Sequence, residues 1–108
     1  MKRGDFITVI LAKDYGKPRP ALVIQADQFS ERASVTVLPM TSTLISAPLF
    51  RIELQPTQKN GLKILFQVMV DKAMTVSREK TGEVFGSIEP DVLLQIDRCL
   101  AIFLGIAK

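Results

Sequence analysis

The sequence contains no histidine, one cysteine and no long hydrophobic run, and each of these gaps excludes a class of chemistry or location. Without histidine, the side chain that most often transfers protons near neutral pH is absent, so any acid–base catalysis must use other groups. A single cysteine forms no internal disulfide and, without histidine, builds no zinc site of ordinary spacing. Because no tight acidic cluster suggests magnesium either, we expect neither a metal nor another cofactor.

The longest apolar stretch, Cys99 to Ala107, is less than half of the roughly 20 residues that a membrane-spanning helix needs. We therefore expect no membrane span. The single cysteine agrees with a reducing cytoplasm, which is the location we predict. The net charge of +3 and the pI of about 9.2 favour polyanionic partners modestly, without identifying one.

Strand patterns dominate most of the chain and a helix pattern ends it. A chain of 108 residues makes one domain, 1–108, with a single core. Apolar and alternating runs predict about six strands, over Asp5–Ala12, Pro20–Ala26, Ser34–Thr41, Leu49–Leu54, Leu62–Lys72 and Glu83–Ser87. We therefore predict a mostly β fold, a small antiparallel barrel or curled sheet, closed by a C-terminal helix.

The predicted helix runs from Pro90 to Gly105, with a proline near its start and a glycine at its stop. Its apolar residues recur at three-to-four spacing, and Leu93, Leu94 and Leu104 widen the apolar surface beyond one stripe. This width indicates either deep packing against the sheet or contact with a second copy of the chain. The sequence leaves both interpretations open.

The segment 15-YGKPRPALVIQ-25 holds Arg19 between two prolines at the start of an apolar run. A residue that precedes proline is biased to extended geometry, and a proline that opens a strand loses no ladder hydrogen bond. Arg19 is therefore predicted at a sheet rim, where a planar cationic fork suits phosphate binding. A surface arginine beside two turn prolines is the plainer interpretation of the same spacing.

Two further groups of polar residues come at the ends of predicted strands. Thr41 and Ser42 follow Pro39, where regular strand pairing is expected to stop. Gln67 and Asp71 share one face of an extended chain, and Asp71 comes where that strand finishes. Hydroxyl groups can donate to phosphate oxygens, and a carboxylate can accept a proton. Turn formation and a surface pair with Lys72 are the alternative explanations.

Taken in order, these segments resemble the MazF/PemK/Kid family of bacterial toxins over essentially the whole chain. The resemblance is carried by the opening KRGDFITV at 2–9, KPRPALVIQ at 17–25, TVLPMTS at 36–42, QVMVDKAMTV at 67–76 and the closing helix within 86–107. It implies an SH3-like barrel of the type shared by CcdB and MazF toxins, ended by a helix. It also implies a homodimer and a cognate antitoxin that occupies the RNA groove, with DNA bound only indirectly through the toxin–antitoxin complex.

The resemblance further implies metal-independent cleavage of single-stranded RNA at short sequences. In that chemistry the ribose 2′-hydroxyl attacks the adjacent phosphate, which leaves a cyclic phosphate and a free 5′-hydroxyl. Arg19 matches the arginine of the family's loop and Thr41 its strand-end threonine. Asp71 matches an aspartate that some members place in the site, so we expect these three residues to be catalytic. Residues expected to bind substrate are Tyr15, Lys17, Ser42 and Gln67.

Two other functions remain compatible with the same residues. A related toxin branch with this architecture poisons gyrase, in which case supercoiling would be inhibited without RNA cleavage. A non-catalytic RNA-binding module would bind RNA with salt-dependent affinity and leave it uncut.

Overall fold

The computed structural model describes residues 1–107, so Lys108, the last residue of the predicted domain, lies outside it. Within that range, seven strands and one α-helix follow one another: β1 (Asp5–Ile10), β2 (Pro18–Val23), β3 (Ser34–Thr41), β4 (Arg51–Leu54), β5 (Phe66–Met69), β6 (Met74–Ser77), β7 (Thr81–Ser87) and α1 (Pro90–Phe103). Every strand pair is antiparallel. The predicted mostly β fold with a C-terminal helix is confirmed.

The strands form one sheet in the order β4–β5–β3–β2–β1–β7, and β6 pairs with β3 outside this path. Strands β4 and β7 lie at the two ends of the order and do not pair with each other in the described part of the chain. The predicted closed barrel is therefore too strong a description, and the alternative of an open, curled sheet is the accurate one.

Strand β3 is the centre of the sheet because three strands pair with it. Its first half, Ser34–Val37, pairs with β6, whereas Met40 and Thr41 at its end pair with β5. Strand β2 lies along its other edge, with Ala21 opposite Pro39. The end of β3 therefore lies between β2 and β5.

The core is divided into two clusters because β1, β2 and β3 are buried on both faces. Phe6 and Leu22 enter one cluster, which α1 covers, while their neighbours Ile7 and Ala21 enter the other. Successive side chains on a strand point to opposite faces, so an unbroken apolar run serves two cores at once.

Helix α1 packs on the sheet through Ile96, which is fully buried, while Leu94 and Phe103 remain exposed. One side of the helix therefore packs within the chain. Contact of the exposed side with a second copy of the chain remains a prediction. Arg3 ties the N-terminal turn to the helix by donating from Nη2 to Asp97 Oδ1 at 2.5 Å and from Nη1 to Oδ2 at 3.3 Å.

The predicted long strand over Leu62–Lys72 is wrong in its extent. Strand β5 covers only Phe66–Met69, a 3₁₀ turn follows at Val70–Lys72, and β6, which the sequence analysis missed, begins at Met74. The break has a topological cause, because β5 and β6 pair with opposite ends of the same edge of β3. The chain must step from one pairing to the other, and the turn makes that step.

Smaller shifts affect the other elements. Strand β2 runs over Pro18–Val23, starting two residues before the predicted start and ending before the predicted end. Strand β7 begins at Thr81 rather than Glu83, and α1 ends at Phe103, before Gly105 with its φ of 76°. The predicted bounds of β3, Ser34–Thr41, match the structure.

Replacing Ile96 with alanine is expected to destabilise the fold by about 2–5 kcal/mol, because it leaves a cavity where the helix meets the sheet. The matched control is Leu94→Ala on the exposed side of the same helix, where about 0.5 kcal/mol or less is expected. Urea unfolding followed by circular dichroism measures both free energies. Equal losses in the two variants would contradict this account of the helix packing.

Candidate active site

A cleft of about 490 Å³ opens where β2 begins and β3 ends. Its walls come from five parts of the chain: the turn after β1, the start of β2, the end of β3 with the following loop, β5 with the turn after it, and the start of β6. Residues distant in sequence therefore meet at one surface.

Prolines explain why the cleft lies here. Pairing between β2 and β3 stops at Ala21 and Pro39, beside Pro20 on the first strand. Proline has no amide hydrogen to donate to a ladder, and Pro18 and Pro20 occupy the next β2 positions whose amides would face β3, which favours separation of the strands. Continuing the same register by two residues brings Arg19 level with Thr41, and both residues line the opening.

Arg19 is part of β2, opposite Val9 of β1, and its side chain is 44% exposed. Its guanidinium group faces the carboxylate of Asp14, with Nε 3.4 Å from Oδ2 and Nη2 3.5 Å from Oδ1. These distances are long for a charge-assisted pair, for which about 2.7–2.9 Å is usual. The guanidinium group is therefore oriented by Asp14 but keeps donors available to a ligand.

The cleft is predominantly cationic. Lys13 and Lys72 line it together with Arg19, and Asp14 is the carboxylate that lines it in the described chain. Three cations against one carboxylate favour an anionic ligand. Lys13 and Asp14 come from the turn after β1, Arg19 from the start of β2, and Lys72 from the turn after β5.

The hydroxyl groups at the end of β3 line the same cleft. Thr41 Oγ1 accepts a hydrogen bond from the backbone N–H of Thr43 at 3.1 Å. An oxygen that accepts in this way keeps its own proton for donation. Ser42 and Thr43 add two exposed hydroxyls to the lining.

Three of the predicted site residues, Arg19, Thr41 and Ser42, are thus brought together. Tyr15 and Lys17 are exposed in the turn between β1 and β2, outside the lining of the cleft. Tyr15 is 98% exposed and has a left-handed φ of 54°, which is uncommon for a bulky residue. The chain reverses at this position, and the aromatic ring points into solvent.

Gln67 and Asp71 also lie outside the lining. Gln67 is 2% exposed, and its amide is bonded within the protein. Asp71 Oδ1 is buried with no hydrogen-bond partner, and Oδ2 is 3.5 Å from Nζ of Lys72, which does line the cleft. Asp71 therefore reaches the cleft only through its neighbour.

The sequence analysis missed three lining residues that carry charge, Lys13, Asp14 and Lys72. Asp14 has a recognisable signal, because a carboxylate five residues before an arginine across a tight turn is placed to pair with it. The sequence analysis considered Lys72 only as a surface partner of the candidate site residue Asp71. In the structure Lys72 lines the cleft and Asp71 does not.

Within residues 1–107, no three His, Cys, Asp or Glu side chains are grouped so that they could hold a metal ion. None of the helices in that range combines the length and the apolar character needed to cross a membrane.

Comparison with known proteins gives concordant matches. The family model described as PemK-like, MazF-like toxin of type II toxin–antitoxin system matches residues 2–104. A relative from Mycolicibacterium smegmatis, named as a probable endoribonuclease MazF, is 44% identical over 108 residues, with 99% of each chain covered. The resemblance seen in the sequence is therefore confirmed.

Solved structures agree on the fold. A mycobacterial endoribonuclease in complex with its cognate antitoxin has a TM-score of 0.84 at 21% identity, covering 100% of this chain and 98% of its own. The Mycobacterium tuberculosis toxin MazF-mt6 has a TM-score of 0.82 at 18% identity, covering 96% and 99%. A MazE–MazF structure from Deinococcus radiodurans has a TM-score of 0.77 at 22% identity, covering 99% and 97%.

These structural likenesses are too low in identity to show more than the fold, but the family model and the mycobacterial relative show more. On their agreement, the chain belongs to the PemK-like, MazF-like toxins of type II toxin–antitoxin systems.

Proposed function

We propose that this chain is the toxin of a type II toxin–antitoxin system and cleaves single-stranded RNA at short specific sequences without a metal. The observation that carries the proposal is the shared cleft, in which the guanidinium group of Arg19 and the hydroxyl of Thr41 line one cationic surface. The relative named as a probable endoribonuclease MazF supports the same activity.

The cations of the cleft suit an RNA backbone. Lys13, Arg19 and Lys72 offer positive charge along one opening, and contacts to phosphate dominate nucleic-acid affinity. Specific RNA recognition mostly uses unpaired bases, which can be splayed out and read at their edges. A single strand also lets the 2′-hydroxyl turn in line with the bond to be broken.

The reaction is transfer of the phosphate within the RNA. The 2′-oxygen forms a bond to phosphorus, the bond from phosphorus to the 5′-oxygen of the next nucleotide breaks, and a cyclic phosphate and a 5′-hydroxyl remain. Negative charge develops on the non-bridging oxygens as the 2′-oxygen attacks. Arg19 donates to those oxygens from a permanently charged fork, and Thr41 adds a hydroxyl donor.

Asp14 is the proposed acceptor of the 2′-hydroxyl proton, because its carboxylate lines the cleft beside Arg19. Asp71, expected from the sequence to act as general base or to anchor the ribose, is assigned a different part. Its carboxylate is 3.5 Å from the ammonium group of Lys72 and orients that group towards the cleft. Lys72 then donates the proton that the leaving 5′-oxygen takes up. One proton is thus gained by Asp14 and one lost by Lys72, and exchange with solvent restores both groups before the next cycle.

The proposed partner, besides RNA, is a cognate antitoxin, as in the mycobacterial and Deinococcus complexes of similar fold. We expect it to cover the RNA cleft, and we expect DNA contact only through the toxin–antitoxin complex. A homodimer is proposed through the exposed apolar side chains at the end of α1, Ile102, Phe103 and Leu104. The expected site of action is the cytoplasm, where mRNA is available.

Arg19→Ala is expected to lower the cleavage rate about 100- to 1,000-fold, because a preorganised donor to the developing charge is lost. Purified protein is incubated in EDTA with a long single-stranded RNA, and new 5′-hydroxyl ends are mapped by direct kinase labelling. Arg98→Ala, an exposed arginine on α1, is the matched control and should cut like the wild type. Intact RNA with wild-type protein, or full activity of Arg19→Ala with an intact fold, would contradict the proposal.

Thr41→Val keeps the shape of the side chain and removes its hydroxyl, so cleavage is expected to slow by about tenfold or more while the fold persists. Thr75→Val is a suitable control because Thr75 bonds Thr36 at 2.8 Å on the β3–β6 ladder and does not line the cleft. Single-turnover rates and thermal unfolding are compared for both. Equal rates for the two variants would remove Thr41 from the mechanism.

The variants Asp14→Asn and Asp71→Asn distinguish the proposed roles of the two carboxylates. The first is expected to lower kcat by about 100-fold or more, as loss of a general base does, while RNA binding tightens because Arg19 is released from its partner. The second should cost less, since it acts only through the orientation of Lys72. A larger loss in Asp71→Asn than in Asp14→Asn would return the base to Asp71.

A further inference from the structure

The loop that carries the cleft hydroxyls is mostly exposed. It leads from Thr41, at the end of β3, to Arg51, where β4 begins, and Ser42 to Ser46 all face solvent. Such a segment would order its hydroxyl groups poorly unless something outside the loop held it.

Gln67 holds it through both atoms of its side-chain amide. Its Oε1 accepts from the backbone N–H of Ile45 at 3.1 Å, and its Nε2 donates to the backbone carbonyl of Ile45 at 2.8 Å. The amide thus pairs with the backbone N–H and C=O of one residue, in the way that a residue on a neighbouring antiparallel strand would. Because Gln67 is 2% exposed, water competes weakly for these bonds.

The position of Gln67 in the sheet explains why the loop is held at this point. It lies on β5 directly opposite Thr41 of β3. The segment after β3 is therefore fixed at two points beside Gln67. Strand pairing fixes it at Thr41, and the side-chain amide of Gln67 fixes it at Ile45. Only three residues, Ser42 to Leu44, lie between these two points.

Arg51 reinforces the same arrangement from β4. Its Nη1 is 3.3 Å from Oε1 of Gln67 and 3.5 Å from the carbonyl oxygen of Thr43. Its side chain therefore spans from the buried amide to the residue whose N–H bonds Thr41 Oγ1. A chain of hydrogen bonds thus leads from the core of the sheet to the hydroxyl at the cleft.

We propose that Gln67 is a positioning residue that fixes the hydroxyls of Thr41 and Ser42 for the reaction without touching RNA. The proposal rests on the proposed function, since it assigns those hydroxyls to the phosphate. It also accounts for the place of Gln67, which shares a strand face with the cleft residue Met69 and yet does not line the cleft.

Loss of the two hydrogen bonds between Gln67 and Ile45 should affect activity more than stability. Ile45 is 46% exposed, so its freed N–H and carbonyl groups can bond to water when Gln67 is replaced. The loop then samples other conformations while the two cores are unchanged. Misplacement of catalytic groups by about 1 Å can lower a rate by about 100-fold.

The test compares Gln67→Met, which keeps the approximate volume and removes the amide, with Val68→Ala on the same strand. Val68 is fully buried in the core cluster beneath α1 and belongs to the opposite face, so its replacement destabilises the sheet without releasing Ile45. Hydrogen exchange of the Ile45 amide is measured for the wild type and for both variants. Single-turnover cleavage of a long RNA and binding of a mixed-sequence, single-stranded 2′-methoxy oligonucleotide, which cannot be cut, complete the set.

We expect faster Ile45 exchange in Gln67→Met alone, with cleavage at saturating RNA lowered about 10- to 100-fold and oligonucleotide binding weakened about fivefold. Unchanged Ile45 exchange, or cleavage in Gln67→Met equal to that in Val68→Ala, would overturn the proposal. If wild-type protein cuts no RNA, the proposed function fails. Oligonucleotide binding then tests whether Gln67 positions the cleft hydroxyls. Weaker binding by Gln67→Met alone would support this role, and equal binding by the two variants would overturn it.

Discussion

The end of hydrogen bonding between β2 and β3 is the constraint on which the site depends. Strands that continued to pair beyond Ala21 and Pro39 would close the space between Arg19 and Thr41, and the cation and the hydroxyl would become ordinary neighbours on a sheet face. Pro18 and Pro20 occupy the β2 positions whose amides would face β3, and neither has an amide hydrogen for that continuation. Two residues that withhold hydrogen bonds thus favour an opening with a charged group on one side and a donor on the other.

The rest of the fold supports that opening. Burial of β1, β2 and β3 on both faces holds the strands that carry Arg19 and Thr41, so the geometry of the cleft follows from two cores rather than one. Strand β5 fixes the far wall and the loop behind it, while the turn after β5 brings Lys72 to the cleft. Cleft residues on exposed segments are thus held by groups that water does not reach, which is the way in which polar sites are preorganised in proteins.

The sequence was most informative where local chemistry decides the structure. Runs of apolar residues located β3 with its observed bounds, the proline at the start and the helical spacing located α1, and the two prolines around Arg19 indicated its extended backbone. The convergence of Arg19 with Thr41 was predicted through a resemblance rather than through spacing. Their approach depends on the register between β2 and β3, which no local pattern encodes.

Residues whose role depends on tertiary contacts were predicted poorly. Lys13 and Asp14 looked like ordinary loop residues, and their place in the cleft follows from a 3₁₀ turn that folds back beside Arg19. Gln67 was expected to bind substrate, yet it is buried and bonded to the loop after β3. Strand β6 was missed because its pairing partner lies some 40 residues earlier, at the start of β3.

The contact between Arg3 and Asp97 joins the two extremities of the described chain, and Phe6 shares a core cluster with Ile96. Neither contact can form until residues 96 and 97 have left the ribosome, and such long-range closure is slow compared with helix formation. A nascent chain therefore has no completed interior beneath α1 until the helix itself has been made.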